Sequence, residues 1–134
     1  DQWFPEAARA LCLQGAQVLI YPTAIGWDEG EPREIHEPQL DAWVTIMRSH
    51  AIANGVYALA VNRIGDEQHL KFWGNSFLCR PDGTLQERSD HAFEGTVSGV
   101  ASFDHIDAQR RAWPFFRDRR VDQYGILLQK WGTP

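Results

Sequence analysis

The sequence is poor in cysteine, and the two it has are not placed for chemistry. Cys12 and Cys79 occur in 134 residues with no CxxC spacing. This excludes a disulfide framework and a thioredoxin-like motif; one disulfide remains open, and reduced thiols in a cytoplasmic protein are the expectation. The five histidines, His36, His50, His69, His91 and His105, form neither HExxH nor HxxxH, so no metal and no other cofactor is expected. GxSxG is absent, and no glycine-rich phosphate loop follows a strand. The longest apolar runs, such as Val18-Leu19-Ile20 and Val56 to Val61, are far too short to span a bilayer. Positive charge is also in deficit: 13 Lys and Arg against 18 Asp and Glu give a net charge of −5, which disfavours binding to nucleic acid or an anionic membrane.

What is present belongs to one ordinary globular domain. Hydrophobic residues make up 43% and charged residues 23%, a balance that supports a buried core. Six tryptophans are many for this length and point to aromatic-lined pockets or interfaces.

In chain order, the spacing predicts a helix from Pro5 to Gln14, with Ala7, Ala8, Leu11 and Cys12 on one face and Gly15 as a left-handed cap. Gln17 to Tyr21 follows as an apolar strand of the kind buried on both faces, and the pair suggests an α/β layer. Thr23 to Glu37 reads as a loop of about fifteen residues carrying Asp28, Glu29, Glu31 and Glu34, and loops of that length are commonly functional. It is either a solvated surface loop or a pocket rim that selects a cationic substrate. Pro38 to Asn54 is the best helix, with a buried stripe of Leu40, Trp43, Val44, Met47, His50 and Ala51, stopped by Gly55.

Val56 to Ile64 reads as a second buried strand, Asp66 to His69 as a polar turn, and Ser76 to Cys79 as a third strand. Pro81-Asp82-Gly83 marks a hairpin turn. Thr96 to Phe103 reads as a last strand, with Asp104 as N-cap of a short helix through Trp113 and an aromatic tail from Pro114 to Pro134. Cys12 and Cys79 lie on apolar faces, where thiols are inert. The arginines Arg110, Arg111, Arg117, Arg119 and Arg120 are expected to pair with carboxylates within the chain or between subunits. Composition and spacing therefore reach an α/β layer with a pocket-like loop and no self-sufficient catalytic set.

The opening Asp1-Gln2-Trp3-Phe4-Pro5-Glu6 reads as the interior of a fold just past a strand tip, so the chain is expected to be the C-terminal part of something larger. Together with Tyr21-Pro22-Thr23-Ala24-Ile25-Gly26, Ala60 to Gly65, Phe72 to Phe77 and Trp113 to Arg120, it resembles the carbon–nitrogen hydrolases of the nitrilase superfamily. Within them it is most similar to the branch that cleaves N-carbamoylputrescine. The resemblance covers essentially all 134 residues in the family's order.

The resemblance implies that residues 1–134 are the C-terminal portion of one αββα sandwich domain that pairs into a homo-oligomer, with the tail 114–134 at the interface. It also implies a Glu-Lys-Cys set in which cysteine attacks the carbamoyl or amide carbon, glutamate acts as base, and lysine stabilises the oxyanion. No catalytic residue is expected in this chain: the nucleophilic cysteine would fall two residues before Asp1, and the chain alone should be inactive without the N-terminal portion. The pocket is what remains. Trp3 and Phe4 would flank the nucleophile's turn, Thr23, Ala24 and Ile25 would line the substrate channel, and Asp28 would hold the distal ammonium of a cationic carbamoyl or amide substrate. The family more often has glutamate at the position of Asp28, which leaves the substrate's length open. The alternatives are another amidase of the superfamily, acting on carbamoyl amino acids or aliphatic amides, and a non-catalytic assembly module.

Overall fold

Proline opens the first element because its fixed φ and missing N–H suit the first helical turn. Helix α1 (Pro5–Leu13) begins there and buries Ala8 and Cys12, one turn apart, on its inner face. Gly15 ends it at φ +102°, a conformation that costs glycine little. The computed structural model describes residues 1–131, and this helix leads directly into its main sheet.

Strand β1 (Val18–Thr23) runs parallel to β3 (Tyr57–Asn62), in register from Val18 opposite Tyr57 to Thr23 opposite Asn62. Parallel neighbours need a crossover. It is made by the short strand β2 (Gly26–Asp28), a 3-10 turn at Arg33–Ile35 and helix α2 (His36–Asn54). The expected stripe of α2, Leu40, Trp43, Val44, Met47, His50 and Ala51, is buried throughout. Gly55 closes the helix at φ +57°, where an added Cβ would also come 2.9 Å from the Arg110 side chain.

Strands β6 (Phe77–Cys79) and β7 (Leu85–Arg88) extend the sheet antiparallel, giving the order β1-β3-β6-β7. Their turn is closed by Asp82 Oδ1, which accepts the Thr84 N–H at 2.8 Å. A second, three-stranded antiparallel sheet is formed by β2, β5 (Leu70–Trp73) and β4 (Ile64–Glu67), in the order β2-β5-β4.

The main core lies between α2 and the strands. Trp43, Val44, Met47 and Ala51 meet Ala58, Ala60, Trp73, Phe77 and Cys79 there. Ala8 and Cys12 of α1 meet Leu19 and Val56 in a second cluster. On the opposite face of the sheet, helix α3 (Phe103–Ala112) places Ile106 against Tyr57 and Leu78.

Several expectations are corrected. The strand at Gln17–Tyr21 is not buried on both faces: Leu19 is buried, whereas Ile20 is 61% exposed on the face that α3 leaves uncovered. The loop from Thr23 to Glu37 contains β2 and a 3-10 turn, because backbone pairing to β5 captures the Gly26-Trp27-Asp28 stretch. The strand expected over Val56–Ile64 stops at Asn62, and Ile64–Glu67 pairs instead with β5, shrinking the polar turn to Gln68 and His69.

Thr96–Phe103 forms no strand: residues 96–102 are irregular and held by side chains, with Gln86 bonding both N–H and C=O of Val100 at 3.1 and 2.8 Å, and Phe103 opens α3. Ser102, not Asp104, caps α3, its hydroxyl accepting the His105 N–H. Among the described arginines, Arg117 and Arg120 pair with Asp118 and Asp122, as expected. Arg9 and Arg110 instead place their guanidinium groups over the Phe116 ring, at 5.0 and 4.9 Å from its centroid. The tail carries a 3-10 segment, Val121–Leu128, and its last residues, 132–134, lie outside the described residues.

Candidate functional site

The segment Thr23-Ala24-Ile25 runs from the last residue of β1 to the start of β2, so it joins the two sheets. One buried side chain fixes it. Asn62, at the end of β3, accepts the Thr23 hydroxyl and the Ile25 N–H on Oδ1, each at 2.9 Å. Its Nδ2 donates to Ile25 O at 2.9 Å and to Gly74 O at 3.1 Å. The Asn62 N–H donates to Ser76 Oγ at 2.9 Å. Asn62 lies within the Ala60–Gly65 motif, whose sequence alone assigns it no role. A lone asparagine ending an apolar strand was the available signal.

Beyond Gly74 the backbone turns through two left-handed residues, Gly74 at φ +55° and Asn75 at φ +57°. Asn75 can occupy that region because its side chain bonds locally, donating to Trp73 O at 2.6 Å. Arg88 of β7 donates twice to Asn75 Oδ1, at 2.8 and 3.0 Å, and so ties this corner to the larger sheet.

Aromatic rings run from the candidate loop into the core. Trp27 of β2 stacks on His36 at 5.2 Å and meets Trp73 edge-on at 5.7 Å. Trp43 lies 6.0 Å from Trp73 and 5.6 Å from Phe77, within the range where aromatic pairs attract.

Two buried groups of α2 then reach the N-terminal segment. Trp43 Nε1 donates to Gln2 Oε1 at 2.8 Å, and His50 Nε2 lies 2.9 Å from Gln2 O. A carbonyl only accepts, so Nε2 of His50 carries the proton in this contact. Gln2 thus fastens the opening residues to α2. Trp3 and Phe4 beside it are exposed, at 42 and 56%, and among the described residues they share no hydrogen bond with Thr23–Ile25.

Asp28, half-buried at the end of β2, is partly committed to its own turn. Its Oδ1 accepts the Gly30 N–H at 2.8 Å, while Oδ2 lies 3.4 Å from His69 Nε2. Next to it opens a cleft of about 640 Å³ walled by Trp27, Glu29, Glu31, Glu37, Lys71 and His91, with Arg33 and His36 completing it. Asp28 does not line that cleft; its neighbours Glu29 and Glu31 do. The acid-rich loop was legible in the sequence, but Lys71 and His91 join it only through folding.

The thiols stand apart from this site. Cys12 and Cys79 are both free and buried. Burial raises the Cys12 thiol and pushes Cys79 up to about 12, so neither supplies a thiolate near neutral pH. Among the described residues no group of three histidine, cysteine, aspartate or glutamate side chains is placed to hold a metal ion.

Residues 1–111 match the carbon–nitrogen hydrolase family. The chain belongs to that family. It is 43% identical over 136 residues to an Arabidopsis thaliana N-carbamoylputrescine amidase, covering 96% of this chain and 44% of that protein. It is 36% identical to a citrullinase of Francisella tularensis, covering 98% of this chain and 46% of that protein. Its fold superposes on a carbon–nitrogen hydrolase from Helicobacter pylori with a TM-score of 0.91 at 40% identity, over 98% of this chain and 47% of the other. The chain therefore spans less than half the length of the relatives it matches. The nitrilase-superfamily resemblance and the α/β fold expected from it are both met.

Proposed function

We propose that this chain forms the substrate-recognising C-terminal portion of a thiol amidohydrolase that hydrolyses N-carbamoylputrescine to putrescine, CO₂ and ammonia. The observation that carries the reading is the 43% identity, running through almost the whole chain, to an enzyme named for that substrate. The local chemistry supports it. N-carbamoylputrescine has a neutral carbamoyl head and a distant ammonium, and Asp28, Glu29 and Glu31 follow Thr23–Ile25 closely in the chain, with Glu29 and Glu31 lining the cleft. Charge-assisted hydrogen bonds to such an ammonium are the strong kind.

In this reading Thr23, Ala24 and Ile25 line the channel, Trp3 and Phe4 flank the nucleophile's turn, and Asp28 with Glu29 binds the amine. The bond-breaking Glu-Lys-Cys set acts from outside these residues. The complete enzyme works as a cytoplasmic homo-oligomer in polyamine biosynthesis, with the tail 114–134 at its interface.

A second reading has its own observation. Citrulline carries the same carbamoyl-amine head plus a carboxylate, and the cleft holds Arg33 and Lys71 beside its acids. The 36% identity to a citrullinase points the same way.

Ammonia release by the complete enzyme from N-carbamoylputrescine, citrulline and a neutral N-carbamoyl alkylamine separates the two. The first reading expects kcat/KM highest for N-carbamoylputrescine. It also expects Asp28→Asn to raise KM for that substrate by about tenfold while changing the neutral substrate by less than about twofold. Equal effects on both substrates would remove Asp28 from the amine site.

A further inference from the structure

The carboxamide of Asn62 has four hydrogen-bonding positions, and all four are used. Three of the partners belong to the Thr23–Ile25 segment and the fourth, Gly74 O, to the corner after β5. The pattern also fixes which end of the amide is which: the Ile25 N–H must face the oxygen, and the carbonyls of Ile25 and Gly74 must face the NH₂. Ile25 is thereby held through both its N–H and its C=O by one side chain, as a neighbouring strand would hold it. Ile25 itself precedes β2, which begins one residue later, and its carbonyl also accepts the Trp73 N–H of β5 at 3.4 Å.

The residue itself is 8% exposed, so its bonds compete little with water. Its backbone is fastened too, with the N–H donating to Ser76 Oγ. Thr23 adds the hydroxyl that a valine of the same shape would lack.

We propose that Asn62 is a positioning residue for substrate recognition: its carboxamide sets the course of Thr23–Ile25, and with it the approach of that edge to the bound substrate. The inference rests on the reading of Thr23–Ile25 as channel lining. Asparagine is required by the donor and acceptor pattern. Aspartate in its place would set acceptor against acceptor at Ile25 O and Gly74 O, and leucine would take the partner from the Ile25 N–H and leave the Ile25 C=O with the longer Trp73 N–H bond.

The test uses the complete enzyme, with Asn62→Asp, Thr23→Val and Thr23→Ser. Asn62→Asp is expected to raise KM at least about tenfold with kcat changed less than about threefold, and to speed amide exchange at Ile25. Thr23→Val, which loses one hydrogen bond of typical net strength, is expected to raise KM about fivefold, and Thr23→Ser to restore it. A folded Asn62→Asp enzyme with wild-type KM and wild-type protection at Ile25 overturns the proposal. If Asn62→Asp does not fold, an unmoved KM in Thr23→Val overturns it instead. A wild-type enzyme that hydrolyses no carbamoyl or amide substrate sinks the hydrolase reading and takes this inference with it. An active wild type whose variants keep KM sinks the inference alone.

Discussion

The two sheets of this chain are held by different forces. The four-stranded sheet lies against α2 chiefly through side-chain volume: Phe77, Cys79, Ala58 and Ala60 fill the space left by Trp43, Met47 and Ala51. The three-stranded sheet has little core of its own. Of its eleven residues only Phe72 and Trp73 are buried, and its strand β4 is largely exposed. Beyond Trp73, which joins the main core, it is fixed by directed contacts: Asn62 at its entry, Asn75 and Arg88 at its corner, and the stack of Trp27 on His36. Burial sets how strongly a layer is held. Directed hydrogen bonds set where an edge lies, and the candidate channel is built at the edge held in that second way.

The contrast can be broken first on the burial side. Phe77→Ala should destabilise the complete protein by about 3–5 kcal/mol, because a fully buried ring leaves a cavity under Trp43. Denaturant unfolding measures this, and a loss under about 1 kcal/mol would mean that the face collapses to fill the space.

The directed side should respond less, and in a way that separates two causes. Asn75→Ala loses the bonds to Trp73 O and from Arg88 while keeping a Cβ at φ +57°, and should cost about 2–3 kcal/mol. Asn75→Gly relieves the backbone strain and should recover about 1 kcal/mol of that. Equal costs would show that the strain is absent and only the bonds count.

A pH titration probes the core again. Burial raises the folded Cys79 thiol to about 12, from an ordinary value of 9.0. Below pH 9 both states keep the proton and the contribution is fully present. As pH rises from about 9 toward 12, the unfolded thiol loses its proton first, so stability should fall over that window. Cys79→Ala should flatten that part of the profile, and an unchanged slope would remove Cys79 from it.

The smallest effect belongs to the exposed rim of the small sheet. Arg63 and Glu67 pair with side chains about half exposed, so Glu67→Gln should change stability by less than about 0.5 kcal/mol. A larger loss would mean that surface charge, and not Asn62, holds β4 in place.

The candidate site was partly legible. The stripe of α2 could be read because apolar residues recur at three and four, and the caps at Gly15 and Gly55 because glycine tolerates positive φ. Asp28 and Glu29 stood out as an acidic loop. Asn62 and Gln2 did not, because each acts through partners far away in sequence: Thr23, Ile25 and Gly74 for Asn62, and Trp43 and His50 for Gln2. Local pattern carries no record of such partners. Thr96–Phe103 alternates loosely like a strand but stays irregular, since its only described ties to β7 run through the Gln86 and Glu87 side chains.

By itself, then, the sequence determined the helices, the two parallel strands and the family. Periodicity, proline and glycine act over a few residues, and the motifs from Asp1–Glu6 to Trp113–Arg120 are carried in the chain directly. Tertiary structure alone decided which face of β1 is covered, that Gly26–Asp28 becomes a strand, and that the acids of the loop meet Lys71 and His91 across a cleft. The reason is physical: burial and hydrogen-bond satisfaction depend on what the fold brings alongside, and those neighbours are distant in the chain.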